Sequence, residues 1–151
     1  RHMLEELKKD DFIVRHFKKN DYDAIINLWE KTGLGGAHRG DDLNIIENTI
    51  QQGGFFIVLE YLPSKRIIGT AWITNDHRRL YLHHFGIDPE FQGKKLSHLL
   101  AQASVEIGKK MGLQMKLEVH TNNEKAKNLY LKYGFKNLGD YEVMIIRKYN
   151  E

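Results

Sequence analysis

Two stretches of the sequence carry residues whose types and spacing could do chemistry. The first, residues 85–97, leaves a strand-like run, passes Pro89 and enters Gln92-Gly93-Lys94-Lys95 at the start of a long helical pattern. A helix N-terminus offers unpaired N–H groups and a partial positive charge, and both suit a pyrophosphate. Gly93 allows a close backbone approach. A plain strand-to-helix connection with solvated lysines explains this segment about as well.

The second stretch combines Glu118 with Asn123, Ala126 and Tyr130. The last three are spaced i, i+3 and i+7, so they share one face of a short predicted helix. Ala126 leaves room there for a ligand chain, and Tyr130 presents its hydroxyl. Taken alone, this pattern is explained more simply by a packed helix with a core tyrosine. Glu118 lies on the polar face of the preceding strand, where it could also pair with Lys116 or His120.

Two further features of the sequence could form sites. His83 and His84 are neighbours on a predicted strand and so point to opposite faces, which argues against a shared metal ion. We predict no metal site, although one of the two could be a base or a substrate contact. The glycine-rich loop at residues 33–40 is not a dinucleotide fingerprint, because position 38 is His and a helix, not a strand, precedes the loop.

Composition limits the classes of protein that need to be considered. With 151 residues, 41% hydrophobic and 28% charged, the chain fits one globular domain, expected at residues 4–150. Arg1 and His2 precede Met3 and are expected to be left from an expression tag. No apolar run approaches the roughly 20 residues of a membrane helix. The absence of cysteine excludes disulfides, thiolate zinc sites and a catalytic thiol, and a cytoplasmic location is the simplest expectation.

The net charge of +3 suits an anionic ligand such as a nucleotide phosphate. Lysine and arginine are dispersed among 20 acidic residues instead of forming a basic stripe, and no nucleic-acid-binding motif is present. We therefore expect neither nucleic acid nor a membrane as partner.

The hydrophobic period switches repeatedly between that of strands and that of helices. Strands are predicted at residues 12–17, 55–61, 67–74, 80–87, 113–119, 135–138 and 141–147. Helices are predicted from Asn20 or Asp21, from Asp41 or Asp42, and at residues 94–111 and 124–132. The three strands between residues 55 and 87 form an antiparallel meander.

In this order, the motifs at residues 87–97 and at Glu118, Asn123, Ala126, Tyr130 and Gly134-Phe135 resemble the GNAT acetyltransferase family. The resemblance spans about residues 12–147. It implies an α/β (α+β) fold with a mixed, mostly antiparallel central sheet flanked by helices on both faces. It also implies acetyl-CoA as acyl donor. The implied cofactor-binding residues are Phe85, Gly86, Ile87, Gln92, Gly93, Lys94, Lys95, Leu96, Ser97, Asn123, Ala126 and Tyr130.

Two positions depart from the family pattern. Lys95 stands where the family prefers glycine, and Ser97 where it prefers glycine or alanine. We expect Lys95 to be tolerated if it adopts a right-handed helical conformation, which does not require glycine.

The resemblance extends to the protein N-terminal alanine acetyltransferases and implies Glu118 as general base and Tyr130 as general acid. His38, Arg39, Trp72 and His84 are expected on the acceptor side of the cleft. The implied activity is transfer of an acetyl group to a primary amine of a small molecule or peptide. A non-catalytic acyl-CoA-binding module of the same fold and a basic nucleic-acid-binding domain remain as alternatives, and a homodimer is compatible with the sequence.

Overall fold

The computed structural model of the chain describes residues 6–36, 40–93 and 95–150. Six strands form one sheet in chain order: β1 (Leu7–Lys9), β2 (Phe12–His16), β3 (Phe55–Tyr61), β4 (Arg66–Asn75), β5 (Arg79–Ile87) and β6 (Gln114–Leu117). All neighbouring strands are antiparallel except β5 and β6, which are parallel. The mixed, mostly antiparallel sheet expected from the sequence is therefore confirmed.

In the described residues, four α-helices cover both faces of the sheet: α1 (Tyr22–Thr32), α2 (Leu43–Gln51), α3 (Leu96–Met111) and α4 (Glu124–Lys132). The alternation of β3 explains the two layers, because successive side chains of a strand point to opposite faces. Ile57 and Leu59 pack with α3 in one core, whereas Phe56 and Val58 pack with α1 and α2 in the other.

Local sequence signals set most helix ends. Asp42 caps α2 by accepting a hydrogen bond from the Ile45 amide at 3.0 Å. Gly33 ends α1 in the left-handed conformation, with φ of 73°. The sequence places the start of α3 at residue 94, but the helix begins at Leu96.

The two C-terminal strands predicted at residues 135–138 and 141–147 do not form. The side chains of Leu138 and Tyr141 are 63% and 80% exposed. Alternation of apolar residues indicates which side chains could be buried, but a strand also needs a neighbour for its backbone groups. Within the described part of this single chain, no strand lies beside residues 135–147, so this prediction is wrong for the isolated chain. The strand predicted at 113–119 is shorter and ends at Leu117, where its pairing with β5 stops.

The parallel pairing of β5 with β6 stops halfway along β5. It runs from Arg79 opposite Gln114 to Leu82 opposite Leu117, while β5 continues to Ile87. Beyond Leu82, β5 therefore has an open edge facing a gap, and this gap positions the candidate site. None of the helices in the described ranges is long and apolar enough to cross a membrane.

Candidate active site

A cleft of about 820 Å³ opens where β5 and β6 separate. Its walls come from the second half of β5, the turn leading into α3, the residues that follow β6, and α4. Lining residues include Phe85, Gly86, Ile87, Gln92, Gly93, Lys95, Leu96, Ser97, Glu118, Asn123, Ala126 and Tyr130. These are all the residues that the sequence assigned to the catalytic pair and the cofactor, except Lys94, which lies outside the described residues.

A bulge in β5 shapes one wall of the cleft. The register between β4 and β5 shifts between Thr70 and Trp72, and His84 has a φ of 47°. The Thr70 hydroxyl donates a hydrogen bond to the His84 carbonyl at 2.8 Å, which holds the bulge in place. Because β6 has already diverged, the backbone of residues 85–87 has no strand partner on the cleft side within the described ranges. An extended ligand arm could pair there as an added strand.

The turn before α3 forms a second wall. Gly93 has a φ of 85°, and Lys95, the residue before the helix, has a φ of 61°. The expectation that Lys95 is right-handed is therefore wrong: this position is left-handed, where a residue with a Cβ is strained and glycine is not. The Gln92 side chain donates to the Ile87 carbonyl at 3.1 Å and so braces the turn. The first amides of α3 have no acceptor within the helix.

Helix α4 brings its predicted face to the cleft. Asn123 caps the helix by accepting a hydrogen bond from the Ala126 amide at 3.1 Å. Tyr130 is 9% exposed, and its ring contacts those of Phe85 and Phe135 at centroid distances of 5.6 and 5.7 Å. Burial raises the pKa of Tyr130 to about 12. Because of this raised pKa, the phenol keeps its proton at neutral pH. None of the residues described hydrogen-bonds to its hydroxyl, so the proton is available for a ligand.

Glu118 lies across the gap from β5 and pairs with Tyr81. The Tyr81 hydroxyl donates to Glu118 Oε2 at 2.5 Å, so the partner is neither Lys116 nor His120. Burial, followed by this hydrogen bond, raises the pKa of Tyr81 to about 12. His83 stacks on Tyr81 at 4.6 Å, and its Nε2 lies 2.9 Å from the Thr74 hydroxyl. Burial and the neighbouring His84 lower the pKa of His83, which keeps that imidazole neutral at pH 7.

Comparison with known families matches residues 3–135 to the model of the acetyltransferase (GNAT) family. The chain belongs to the GNAT family. Acetyl-CoA is the acyl donor of this family.

Solved structures of GNAT proteins share the fold at low sequence identity. A ribosomal-protein-S5-alanine acetyltransferase from Vibrio fischeri aligns with a TM-score of 0.74 at 18% identity, over 89% of this chain and 85% of the other. A glucosamine-6-phosphate N-acetyltransferase from Arabidopsis thaliana aligns at 0.67 and 18% identity, over 94% and 100%. A putative acetyltransferase from Salmonella typhimurium, solved with its cofactor acetyl-CoA, aligns at 0.72 and 20% identity, over 84% and 80%.

The residues expected on the acceptor side of this GNAT chain are distributed differently from the prediction. His84 lines the cleft, and its Nε2 lies 2.9 Å from Asp41 Oδ2. Trp72 does not line it: it is 4% exposed in the core between the sheet and α1–α2, where it stacks on Trp29 and donates to the Thr49 hydroxyl. A strand alternates its faces, and at this position the indole points to the helices. His38 and Arg39 lie outside the described residues.

The sequence analysis assigned no function to Tyr81, and it considered Asp41 only as a possible start of the second helix. Tyr81 could have been found, because it lies two residues before His83 and so shares its strand face. Asp41 could not, because only the folded chain brings the α1–α2 loop against β5. There, Asp41 also accepts a hydrogen bond from the Gly36 amide at 3.1 Å. In the described ranges, no three His, Asp or Glu side chains form a group that could hold a metal ion.

Proposed function

We propose that this GNAT protein transfers an acetyl group from acetyl-CoA to a primary amine of a small molecule or a peptide. The observation that carries the proposal is one cleft that joins an open strand edge, a helix N-terminus, a carboxylate and a protonated phenol. Each of these four features meets one requirement of amine acetylation.

The cleft fits the parts of acetyl-CoA in order. The open edge of residues 85–87 suits the pantetheine arm, whose amides can pair with a strand. Gly93 and the first amides of α3 suit the pyrophosphate, and Lys95 adds positive charge beside them. Ala126 leaves space along α4, and the exposed Asn123 lies at the end of that helix.

The transfer needs a neutral amine and a stabilised leaving group. The amine nitrogen forms a bond to the carbonyl carbon and loses a proton, while the carbon–sulphur bond breaks and the sulphur gains a proton. We assign removal of the amine proton to Glu118, directly or through water, because its carboxylate is exposed at the cleft. We assign stabilisation of the sulphur to Tyr130.

The phenol of Tyr130 acts mainly as a hydrogen-bond donor. Its pKa of about 12 lies above the ordinary thiol value of about 8.5. Donation of a hydrogen bond therefore stabilises the thiolate as it forms, and complete transfer of the phenolic proton is not required. The proton released by the amine balances the one that the thiol finally holds.

His83 is the second candidate for the base. It is neutral at pH 7, lines the cleft and lies beside Tyr81. Glu118 is preferred because its carboxylate is exposed at the cleft, whereas His83 is only partly exposed and its Nε2 lies against the Thr74 hydroxyl.

Calorimetry and a thiol-release assay test the proposal together. We expect acetyl-CoA to bind and thiol to appear with members of a library of primary amines. Ala126→Leu should weaken acetyl-CoA binding by filling the cleft, whereas Ala24→Leu, an exposed change on α1, should not.

Three outcomes would contradict the proposal in different ways. No binding at millimolar acetyl-CoA would remove the cofactor assignment. Binding without thiol release from any amine would indicate the non-catalytic acyl-CoA module. Turnover of oxygen nucleophiles alone would contradict the amine acceptor.

A further inference from the structure

Two basic and two acidic side chains meet beside the turn that joins β5 to α3. Lys31 Nζ donates hydrogen bonds to Asp88 Oδ2 at 3.0 Å and to Glu90 Oε2 at 3.3 Å. One guanidinium nitrogen of Arg66 donates to the same two oxygens, at 2.8 and 2.6 Å. Each cation therefore binds both carboxylates, and the four formal charges cancel.

This ion-pair network joins three elements of the fold. Lys31 lies in the last turn of α1, Arg66 is the first residue of β4, and both carboxylates belong to the turn. The side chain of Asp88 is only 2% exposed, and its Oδ1 accepts a hydrogen bond from the Glu90 amide at 2.9 Å. Burial alone would raise the pKa of Asp88, but the hydrogen bonds from the Glu90 amide, Lys31 and Arg66 hold that pKa below its ordinary value. The network thus fixes a charged carboxylate at the start of the turn.

The same turn forms the wall at the cofactor end of the cleft. Asp88 caps a single 3-10 turn at Pro89–Phe91, and Asp88 and Glu90 are not among the residues that line the cleft. Their neighbours along the chain do line it, namely Ile87, Phe91, Gln92 and Gly93. Because anchored and lining residues alternate over so few positions, any movement of the anchored carboxylates moves the wall of the cleft.

Arg66 also contacts an aromatic residue of this wall. Its guanidinium lies 5.3 Å from the centre of the Phe91 ring, a cation–π distance. The same ring packs against Tyr61 and Phe12 at centroid distances of 5.4 and 6.1 Å. One cation therefore holds the turn both through its carboxylates and through its aromatic ring.

We propose that Lys31 and Arg66 are positioning residues for acetyl-CoA, which hold the turn at residues 88–93 in the conformation that receives the pyrophosphate. The inference rests on the proposed function, which puts the pyrophosphate at Gly93 and the first amides of α3. Neither Lys31 nor Arg66 is among the residues that line the cleft, so both act through Asp88, Glu90 and the turn.

The exposure of the network favours a role in positioning over a role in stability. The side chains of Lys31, Arg66 and Glu90 are 44%, 38% and 63% exposed, and exposed ion pairs contribute little to folding. Loss of Lys31 alone leaves Asp88 with Arg66 and the Glu90 amide as partners. The chain should therefore still fold, while the turn loses its link to α1.

The first test separates binding from chemistry. Lys31→Met keeps an unbranched stem and removes the ammonium group. Calorimetry should show the Kd for acetyl-CoA rising about 10-fold, as for the loss of a hydrogen bond to a charged group, with kcat at saturating acetyl-CoA unchanged. Lys31→Arg should restore binding, because it returns a cationic donor. Lys109→Met also removes an exposed lysine from the last turn of a helix, and this control should bind as the natural protein does.

The second test uses a donor without a pyrophosphate. Acetylpantetheine carries the thioester and the pantetheine arm but no phosphate. Lys31→Met should keep the natural kcat/KM with acetylpantetheine and lose about 10-fold only with acetyl-CoA. Equal losses with both donors, or unchanged binding of acetyl-CoA by Lys31→Met, would overturn the proposal. If the natural protein itself bound no acetyl-CoA, the proposed function would be contradicted and this inference with it.

Discussion

Tyr130 is buried, and none of the other described residues hydrogen-bonds to its hydroxyl. Its ring is held by Phe85 and Phe135, and its phenol lines the cleft. Tyr130→Phe keeps these ring contacts and removes only the donor. General acid–base assistance is worth about 10²–10⁴-fold, so kcat should fall by about 10²-fold or more.

The binding of acetyl-CoA should change far less than kcat in the same variant, as measured by calorimetry. Tyr61→Phe, a tyrosine on β3 that does not line the cleft, is the control and should keep full activity. Full kcat in Tyr130→Phe at every pH would show that the thiolate is stabilised by another group.

Glu118 and Tyr81 form a hydrogen-bonded pair at the cleft. If Glu118 is the base, Glu118→Gln should lower kcat/KM at neutral pH by about 10²-fold. The deficit should shrink as the pH approaches the pKa of the amine, because the acceptor is then neutral without assistance. Steady-state rates from pH 6 to 10 measure this.

Two matched variants distinguish the general base from a residue that only positions it. Tyr81→Phe removes the hydrogen bond to Glu118 and should cost activity with a smaller change in the shape of the pH profile. His83→Gln should be the milder change if Glu118 is the base. A silent Glu118→Gln together with an inactive His83→Gln would move the base to β5.

At the scale of elements, the turn between β5 and α3 contains a strained residue beside the cleft. Lys95 is left-handed at a φ of 61°, a conformation that costs a residue with a Cβ about 1–2 kcal/mol. Lys95→Gly should therefore be more stable than Lys95→Ala by about 1 kcal/mol, as measured by urea unfolding.

The same pair tests the role of the Lys95 side chain, because both variants lose the ammonium group. If that charge contributes to cofactor binding, both should bind acetyl-CoA more weakly, and the loss should decrease as salt is added. An alanine variant as stable as the glycine variant would show that the turn is not strained.

At the scale of the whole molecule, a buried ion-pair network joins the sheet to the α1 side. Arg15 on β2 donates to Glu60 on β3 at 2.8 Å and to both oxygens of Asp21 at 2.9 Å. Burial alone would raise the pKa of Asp21, but hydrogen bonds from Arg15 and the Lys18 amide outweigh it and hold that pKa below its ordinary value.

A carboxyl group whose pKa is lowered by folding stabilises the fold at pH values above its unfolded pKa of about 3.9. This stabilisation is lost as the pH falls through the folded pKa. Asp21→Asn should thus lower the free energy of unfolding at pH 7 by about 2–3 kcal/mol, because it leaves Arg15 partly unpaired. The difference from the natural protein should shrink as the pH falls below the ordinary carboxyl pKa and through the lower folded pKa of Asp21. Asp23→Asn, at an exposed position on α1, is the control. A pH-independent deficit would show that packing, not charge, is lost.

The sequence by itself determined most of the elements and the two motifs that line the cleft. The spacing of Asn123, Ala126 and Tyr130 and the glycine turn before α3 are local, and local spacing fixes which side chains share a helix face. The structure brings both motifs to one cleft. Hydrophobic period also identified β2 to β6, because it reports burial, but it missed β1 and predicted two C-terminal strands that do not form.

Only the tertiary structure decided the rest, because it depends on contacts between distant residues. The pairing of Glu118 with Tyr81 and of His84 with Asp41 joins residues 37 and 43 positions apart. The left-handed backbone of Lys95 follows from the path of the turn between β5 and α3. Trp72 faces the α1–α2 layer because of the register of β4. The C-terminal segment has the sequence of a strand, but whether it becomes one depends on a neighbouring strand, which a pattern of side chains does not specify.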